Sequence, residues 1–155
     1  MLIGTISDTH GLLREEVFTA FENCDLILHA GDIGSFEVLE KLRSFKEVIA
    51  IRGNVDTQAW AMNLNETELI TLQKRKILLI HNLNNLKDIH TAGKAEIVIY
   101  GHSHKADIKY KDHILFFNPG SAGPRRFSLP VSLGLITLDN EEIKPAIVNI
   151  STFPA

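Results

Sequence analysis

The chain has 155 residues, 16 Lys plus Arg against 19 Asp plus Glu, a formal net charge of −3, 45% hydrophobic and 23% charged residues. That length suits one domain of roughly 100–200 residues, expected over 1–155, and the composition excludes a disordered chain. No basic stripe is present for a nucleic-acid backbone, no apolar run approaches the roughly 20 residues that span a bilayer, and the single cysteine, Cys24, has no internal disulfide partner.

Met1 leads directly into the apolar segment Leu2–Ile6 with no basic region before it. A first strand is expected there rather than a signal peptide, and with it a cytoplasmic location. Further short, nearly continuous apolar runs follow at Leu26–His29, 48–51, 77–80 and 97–100. They read as strands buried on both faces. Residues 14–23 place Val17, Phe18 and Phe21 on one helical face, and residues 36–43 do the same with Phe36, Leu39 and Leu42. Ser35 is the expected N-cap of that second helix, with Glu37 in its first turn. A third helix is expected over 84–92, stopped by Gly93. This alternation predicts βαβ units in a layered α/β domain.

The C-terminal third carries strand pairs without helices between them. Asp107–Lys111 and 113–117 are joined by a tight polar connection, and 131–138 and 141–150 by Asp139-Asn140, a dipeptide tolerant of positive φ. The residues leave open two packed sheets or one large mixed sheet.

Chemistry-bearing residues follow each apolar run in turn. They are Asp8-Thr9-His10, Gly31-Asp32, Gly53-Asn54, His81, and Gly101-His102-Ser103-His104. In α/β sheets the ligand crevice lies beyond the carboxyl ends of the strands, so these side chains can converge. Residues i and i+2 of an extended segment point the same way, so Asp8 with His10, and His102 with His104, are each expected to aim two ligands into one cavity. Gly31, Gly53 and Gly101 each precede a ligand, where glycine permits close backbone approach. The donor set of imidazole, carboxylate and amide without thiolate suits Mn²⁺, Fe, Zn²⁺, Ni²⁺ or Co²⁺.

The ordered set Asp-x-His, Gly-Asp, Gly-Asn, His and Gly-His-x-His resembles the calcineurin-like metallophosphoesterase superfamily over most of the chain. The short length and Asn118-Pro119-Gly120-Ser121 resemble its small single-domain phosphodiesterase branch. The resemblance implies a four-layer α/β sandwich of two mixed β-sheets flanked by helices. It also implies two divalent metal ions, manganese foremost. One ion would take Asp8, His10, Asp32 and His104, and the other Asp32, Asn54, His81 and His102, with Asp32 bridging. Asp32, Asn54 and His102 would also serve catalysis, and the expected reaction is hydrolysis of a small phosphate diester by a metal-bridging hydroxide. Two departures bear on the proton donor. Val55, followed by Asp56, stands where many members have His after Gly-Asn, and His81-Asn82-Leu83 stands where small members read His-Gly-His. Aryl or otherwise acidic leaving groups need little protonation, so they are expected to be preferred.

Other residues have weaker expectations. Asn118, Gly120, Ser121 and Arg125 are candidates for contacting a phosphate-ester substrate, with Arg126 beside them. His29, inside an apolar run, reads as a satisfied core histidine that can also support a ligand loop. His90 and His113 read as surface residues, Cys24 as a small buried hydrophobe, and Trp60 and Met62 as packing or cleft-wall residues. The alternative functions are a phosphomonoesterase on the same site and a protein-interaction scaffold like the retromer subunit of this fold. No membrane or nucleic-acid partner is expected; self-association into a homo-oligomer is open.

Overall fold

The computed structural model describes residues 1–86 and 95–153. Its strands are β1 (Leu2–Ile6), β2 (Leu26–His29), β3 (Val48–Ala50), β4 (Thr67–Leu72), β5 (Arg75–Ile80), β6 (Ile97–Ile99), β7 (Asp107–Lys111), β8 (Ile114–Asn118), β9 (Ser132–Leu138) and β10 (Ile143–Asn149). Helices α1 (Glu15–Ala20) and α2 (Phe36–Phe45) lie between the first three strands. The strands make two five-stranded mixed sheets, ordered β10-β9-β1-β2-β3 and β4-β5-β6-β8-β7. In the first, β1, β2 and β3 run parallel and β9 runs antiparallel to β1. In the second, β5, β6 and β8 run parallel, with β4 and β7 as antiparallel edges.

The layers follow from the alternation of side chains along strands whose two faces are both covered. Ile3, Leu26, Leu28 and Ile136 of the first sheet meet Ile77, Leu79, Ile97, Ile99, Leu115 and Phe117 of the second in one buried cluster. Burying each such side chain stabilises the fold by about 1.5–3 kcal/mol, so the two sheets act as one platform. The opposite face of the first sheet, with Ile6, Ile27 and Leu133, is covered by Val17 and Phe21 and by Val38, Leu39 and Leu42 of α2. On the outer face of the second sheet, Leu78, Ile80, Val98, Ile114 and Phe116 pack with Leu83 and Leu86.

Most expected elements form close to their expected bounds, with four differences. α1 ends at Ala20 rather than at residue 23, because a turn closed by Cys24 N–H on the Phe21 carbonyl at 3.0 Å replaces its last turn. β4 is an addition. It is an edge strand that alternates exposed and half-buried residues, and its hairpin turn uses Gln73 and Lys74 at φ 50° and 65° rather than the usual Asn-Gly. β8 pairs in parallel with β6, so the C-terminal third is not wholly antiparallel. Where the third helix was expected, Leu83–Asn85 form a 3-10 turn and Leu86 leaves it in extended conformation; the remainder of 84–92, with His90 and Gly93, lies outside the described residues. Ser35 caps α2 as expected, its side chain accepting the Val38 N–H, with Glu37 in the first turn. Among the described residues no helix is long and apolar enough to cross a membrane.

Candidate metal centre

The five ligand-bearing loops leave the same edge of the sandwich, at the carboxyl ends of β1, β2, β3, β5 and β6. They bring two trios together. Asp8, His10 and His104 form one, and Asp32, His81 and His102 the other; within each, one ligand-capable atom per residue lies within 4.8 Å of the others. Asn54 borders a cavity with His81 and His102. The second oxygen of Asp32, Oδ2, faces both trios, 3.5 Å from His10 Nε2 and 3.2 Å from His81 Nε2. Asp8 Oδ1 lies 3.4 Å from His104 Nε2, 3.7 Å from His10 Nε2 and 3.8 Å from His81 Nε2.

These separations fit a shared cation. Two ligand atoms each about 2.1 Å from one ion at a tetrahedral angle stand roughly 3.4 Å apart. Asp8 Oδ1, His10 Nε2 and His81 Nε2 are also buried without a hydrogen-bond partner, although buried polar groups are nearly always paired. The opposite atoms of the same side chains are tied down. Asp8 Oδ2 accepts from Ser7 Oγ at 2.9 Å and from the His102 N–H at 3.1 Å. Asp32 Oδ1 accepts the Val55 N–H at 3.0 Å. His81 Nδ1 lies 2.8 Å from the Ala30 carbonyl and so carries a proton, which leaves Nε2 to face the carboxylates.

The electrostatics follow from the same contacts. Burial alone would raise the Asp32 carboxyl, but the His81 imidazole 3.2 Å away, the Val55 N–H bond and the nearby His10 hold it below the usual range. Burial would likewise lower His81, yet the adjacent Asp32 carboxylate and the charge of Asp8 raise it. His104 is lowered, chiefly by burial, with Arg126 and His10 acting in the same direction.

The convergence is not produced by strand pleating, as the i, i+2 argument expects. Asp8, His10, His102 and His104 have φ of 56°, 46°, 73° and 64°, and Asp32 has 55°, all in the left-handed region. Such conformations cost on the order of 1–3 kcal/mol each and persist where the surroundings over-determine them, commonly at functional sites. The preceding glycines play the expected part. A Cβ on Gly101 would collide with Ser7 Oγ and come within 2.8 Å of Asp8 Oδ2, and one on Gly31 (φ 99°) would lie 2.9 Å from both Gly53 N and His81 Nδ1.

The sequence profile of the calcineurin-like phosphoesterase superfamily domain matches residues 1–141. The chain belongs to this superfamily. It is 34% identical over 157 residues to a probable metallophosphoesterase of Methanocaldococcus jannaschii, a match covering 93% of this chain and 80% of that protein. It is 26% identical over 167 residues to a phosphodiesterase of the same archaeon, covering 96% of this chain and 99% of that one. The crystal structure of Vps29 from Entamoeba histolytica complexed with zinc superposes with a TM-score of 0.72 at 26% identity, covering 97% of this chain and 99% of that one.

Within the calcineurin-like frame, Asn118, Gly120 and Ser121 stand against the ligand loops. All three are buried and their polar groups are engaged. Asn118 Nδ2 donates to the Gly101 carbonyl at 3.2 Å and to Ser103 Oγ at 3.1 Å, its Oδ1 accepts the Gly120 N–H at 2.9 Å, and Ser121 Oγ donates to the Asp8 carbonyl at 3.0 Å. The segment braces the ligand loops from below. Arg125 is exposed and donates from Nε to the Leu129 carbonyl at 3.2 Å, while Arg126 is the arginine whose charge acts on His104.

Two further residues set the loops. His29 is fully buried, its Nδ1 accepting the Gly31 N–H at 3.1 Å and its Nε2 meeting Thr9 Oγ1 at 3.0 Å, so it links the Asp8-His10 and Asp32 loops. Asp56, which sequence reasoning passes over, is buried and accepts three backbone N–H groups, from Ile33, Gly34 and Gly53. Its only signal in the sequence is a carboxylate two positions after Asn54, in a loop where Asp is common for turn reasons alone. Trp60 packs against Phe36 with ring centroids 6.2 Å apart, and Met62 is half exposed.

Proposed function

We propose that this protein is a metal-dependent phosphodiesterase with a dinuclear site, one ion held by Asp8, His10, Asp32 and His104 and the other by Asp32, Asn54, His81 and His102. The observation that supports the reading best is Asp32 Oδ2 facing His10 and His81 from the two trios at 3.5 and 3.2 Å. A carboxylate oxygen between two sets of orphaned ligand atoms is what a bridging ligand requires. Mn²⁺ is the proposed metal, on a donor set without thiolate. Two ions bound there would supply electrophilic neutralisation of phosphoryl charge and a water activated at neutral pH.

The chain's own groups do the rest. Ser7, His102 N–H and the Val55 N–H hold the carboxylates by one oxygen each, so the other stays aimed inward. Asn54 and His102 stand at the exposed mouth, where they orient the ester oxygens. Val55 carries no proton to donate, so the leaving group departs without help from that position. A diester presents one charge fewer than a monoester and needs fewer cationic contacts. This favours the diester at a site whose Arg125 is tied back to its own loop. The protein is proposed to work in the cytoplasm on a small phosphate ester.

A second reading, a non-catalytic scaffold, is favoured only by the likeness to Vps29. Every ligand position here is filled, which favours the enzyme. Chelator-stripped protein assayed on bis(p-nitrophenyl) phosphate and p-nitrophenyl phosphate, with Mn²⁺, Ni²⁺, Co²⁺, Zn²⁺ and Mg²⁺ restored one at a time, separates the readings. Diester turnover that needs metal and vanishes in Asp32→Asn is the expected result. Monoester preference turns the function to a phosphatase, and no turnover with any metal favours the scaffold.

A further inference from the structure

A cavity of about 460 Å³ is lined by Asn54, His81 and His102 together with Arg52, Glu66, Thr67, Asn82 and Asn85. Its volume lies in the range of small-molecule sites, roughly 300–1,000 Å³, and its walls mix apolar surface with the polar side chains of Arg52, Glu66, Thr67, Asn82 and Asn85. None of these five side chains serves the ligand set or the core. Arg52 leaves the end of β3 and is held in place by the Leu64 carbonyl, with its second terminal nitrogen 3.4 Å from Glu66 Oε1. Asn82 follows His81 directly and spends its oxygen on the Asn84 N–H at 3.0 Å, which leaves its amide hydrogens to the cavity. Thr67 begins β4, and Asn85 closes the 3-10 turn after Asn82; both are exposed.

We propose that this cavity binds a hydroxyl-rich alcohol, a polyol or a ribose, that remains esterified to the phosphate after hydrolysis. The proposal rests on the phosphodiesterase reading above. The chemistry of the walls selects the occupant. Arg52 and the Asn82 amide donate, Glu66 accepts, and Thr67 and Asn85 do both. Only groups that donate and accept at once, as hydroxyls do, satisfy such a mixed set. Glu66 offsets the charge of Arg52, so a second phosphate gains little there, and an aryl group would leave these polar groups unpaired.

The same walls show why this alcohol stays on phosphorus. An alcohol gripped through its hydroxyls by Arg52, Glu66, Thr67 and Asn82 is held in place, whereas the alcohol outside the cavity is free to depart. The bond to the other alcohol is therefore the one that breaks. Water supplies the oxygen of the new P–O bond, the P–O bond to the other alcohol breaks, that alkoxide takes up a proton released from the water, and the product is the phosphomonoester of the hydroxyl-rich alcohol.

Binding of that product class tests the proposal without turnover. The Mn²⁺-loaded protein is titrated calorimetrically with sn-glycerol 3-phosphate, ribose 5-phosphate and methyl phosphate, which share a phosphomonoester and differ in hydroxyls. Glycerol phosphate or ribose phosphate is expected to bind about tenfold more tightly than methyl phosphate, and the tighter of the two identifies the source. In Asn85→Leu and in Thr67→Val, both exposed substitutions, that advantage is expected to fall to threefold or less. Equal affinities for all three in the wild type overturn the proposal, as does an advantage that both variants retain. If the protein hydrolyses no diester yet shows the hydroxyl-dependent advantage, the enzymatic reading fails and the cavity assignment stands.

Discussion

Asp56 accepts the backbone N–H of Gly34, 22 residues away, at 2.9 Å through Oδ1, while its Oδ2 accepts those of Ile33 at 3.0 Å and Gly53 at 2.8 Å. One buried carboxylate thus locks the loop carrying Asp32 to the loop carrying Asn54. Removing it leaves three N–H groups without their acceptor, each worth about 1–3 kcal/mol if it stays buried and unpaired. Asp56→Ala is expected to lose about 3 kcal/mol of stability and at least tenfold in Mn²⁺ affinity. Denaturant unfolding and metal titration measure the two losses separately. Stability lost with metal affinity unchanged would show that Asp56 serves the fold alone.

Metal should stabilise the folded chain strongly, because its ligand atoms converge there without partners. A ligand at 100 times its Kd stabilises by about 2.7 kcal/mol. For a chain of this length that corresponds to a rise in Tm of roughly 5–10 °C. Thermal unfolding with Mn²⁺ and with chelator checks this, and Asp32→Asn should abolish most of the difference. A metal-independent Tm would count against the site.

His29 makes stability depend on pH in a definite direction. Burial pushes its imidazole from the ordinary 6.5 down to about 4, against the opposing charges of Asp56, Asp8 and Asp32. Between these values the unfolded chain binds the proton and the folded chain does not. His29 therefore contributes no penalty above about pH 6.5 and costs stability as pH falls towards 4, on the order of 3 kcal/mol in all. His29→Gln offers a donor and an acceptor without titrating. The loss of stability between pH 7 and pH 4.5 should be smaller in the variant by about 2–3 kcal/mol. Because His81 and His104 titrate in both proteins, the difference isolates His29; parallel pH curves would refute the assignment.

Val55 stands at the mouth, its N–H on Asp32 and its side chain 43% exposed. With no proton donor at that position, rate should depend steeply on the acidity of the leaving alcohol. Methyl p-nitrophenyl phosphate is expected to be cleaved at least 100-fold faster than dimethyl phosphate, and Val55→His should narrow that gap. Comparable rates on both esters would mean that another group supplies the proton.

Much of this was readable in order along the chain. Leu2–Ile6 and Leu26–His29 form the expected strands, since continuous apolar runs have few other places to go in a layered α/β domain, and Asp107–Lys111 forms its expected strand as an exposed edge beside 114–118. β4 was not readable: an edge strand with one wet face carries a weaker pattern, and Gln73-Lys74 gives no turn signal. Ligand identities were readable because polar residues at the ends of apolar runs stand out. The way Asp8 pairs with His10 was not, because left-handed φ at an Asp or His is imposed by neighbours, here Ser7, Ser121 and the Gly31 carbonyl that accepts the Asp8 N–H at 3.0 Å.

By itself, then, the sequence determined the superfamily pattern, the run of strands and the residues able to bind metal. These are local properties: residue type, spacing and period. Only the tertiary structure decided that Asn118 and Ser121 bond to the ligand loops, that Asp56 joins two of those loops, and that Arg52, Glu66 and Asn85 share one cavity. Each of these depends on which groups distant in sequence are brought together, and that is set by the packing of the two sheets.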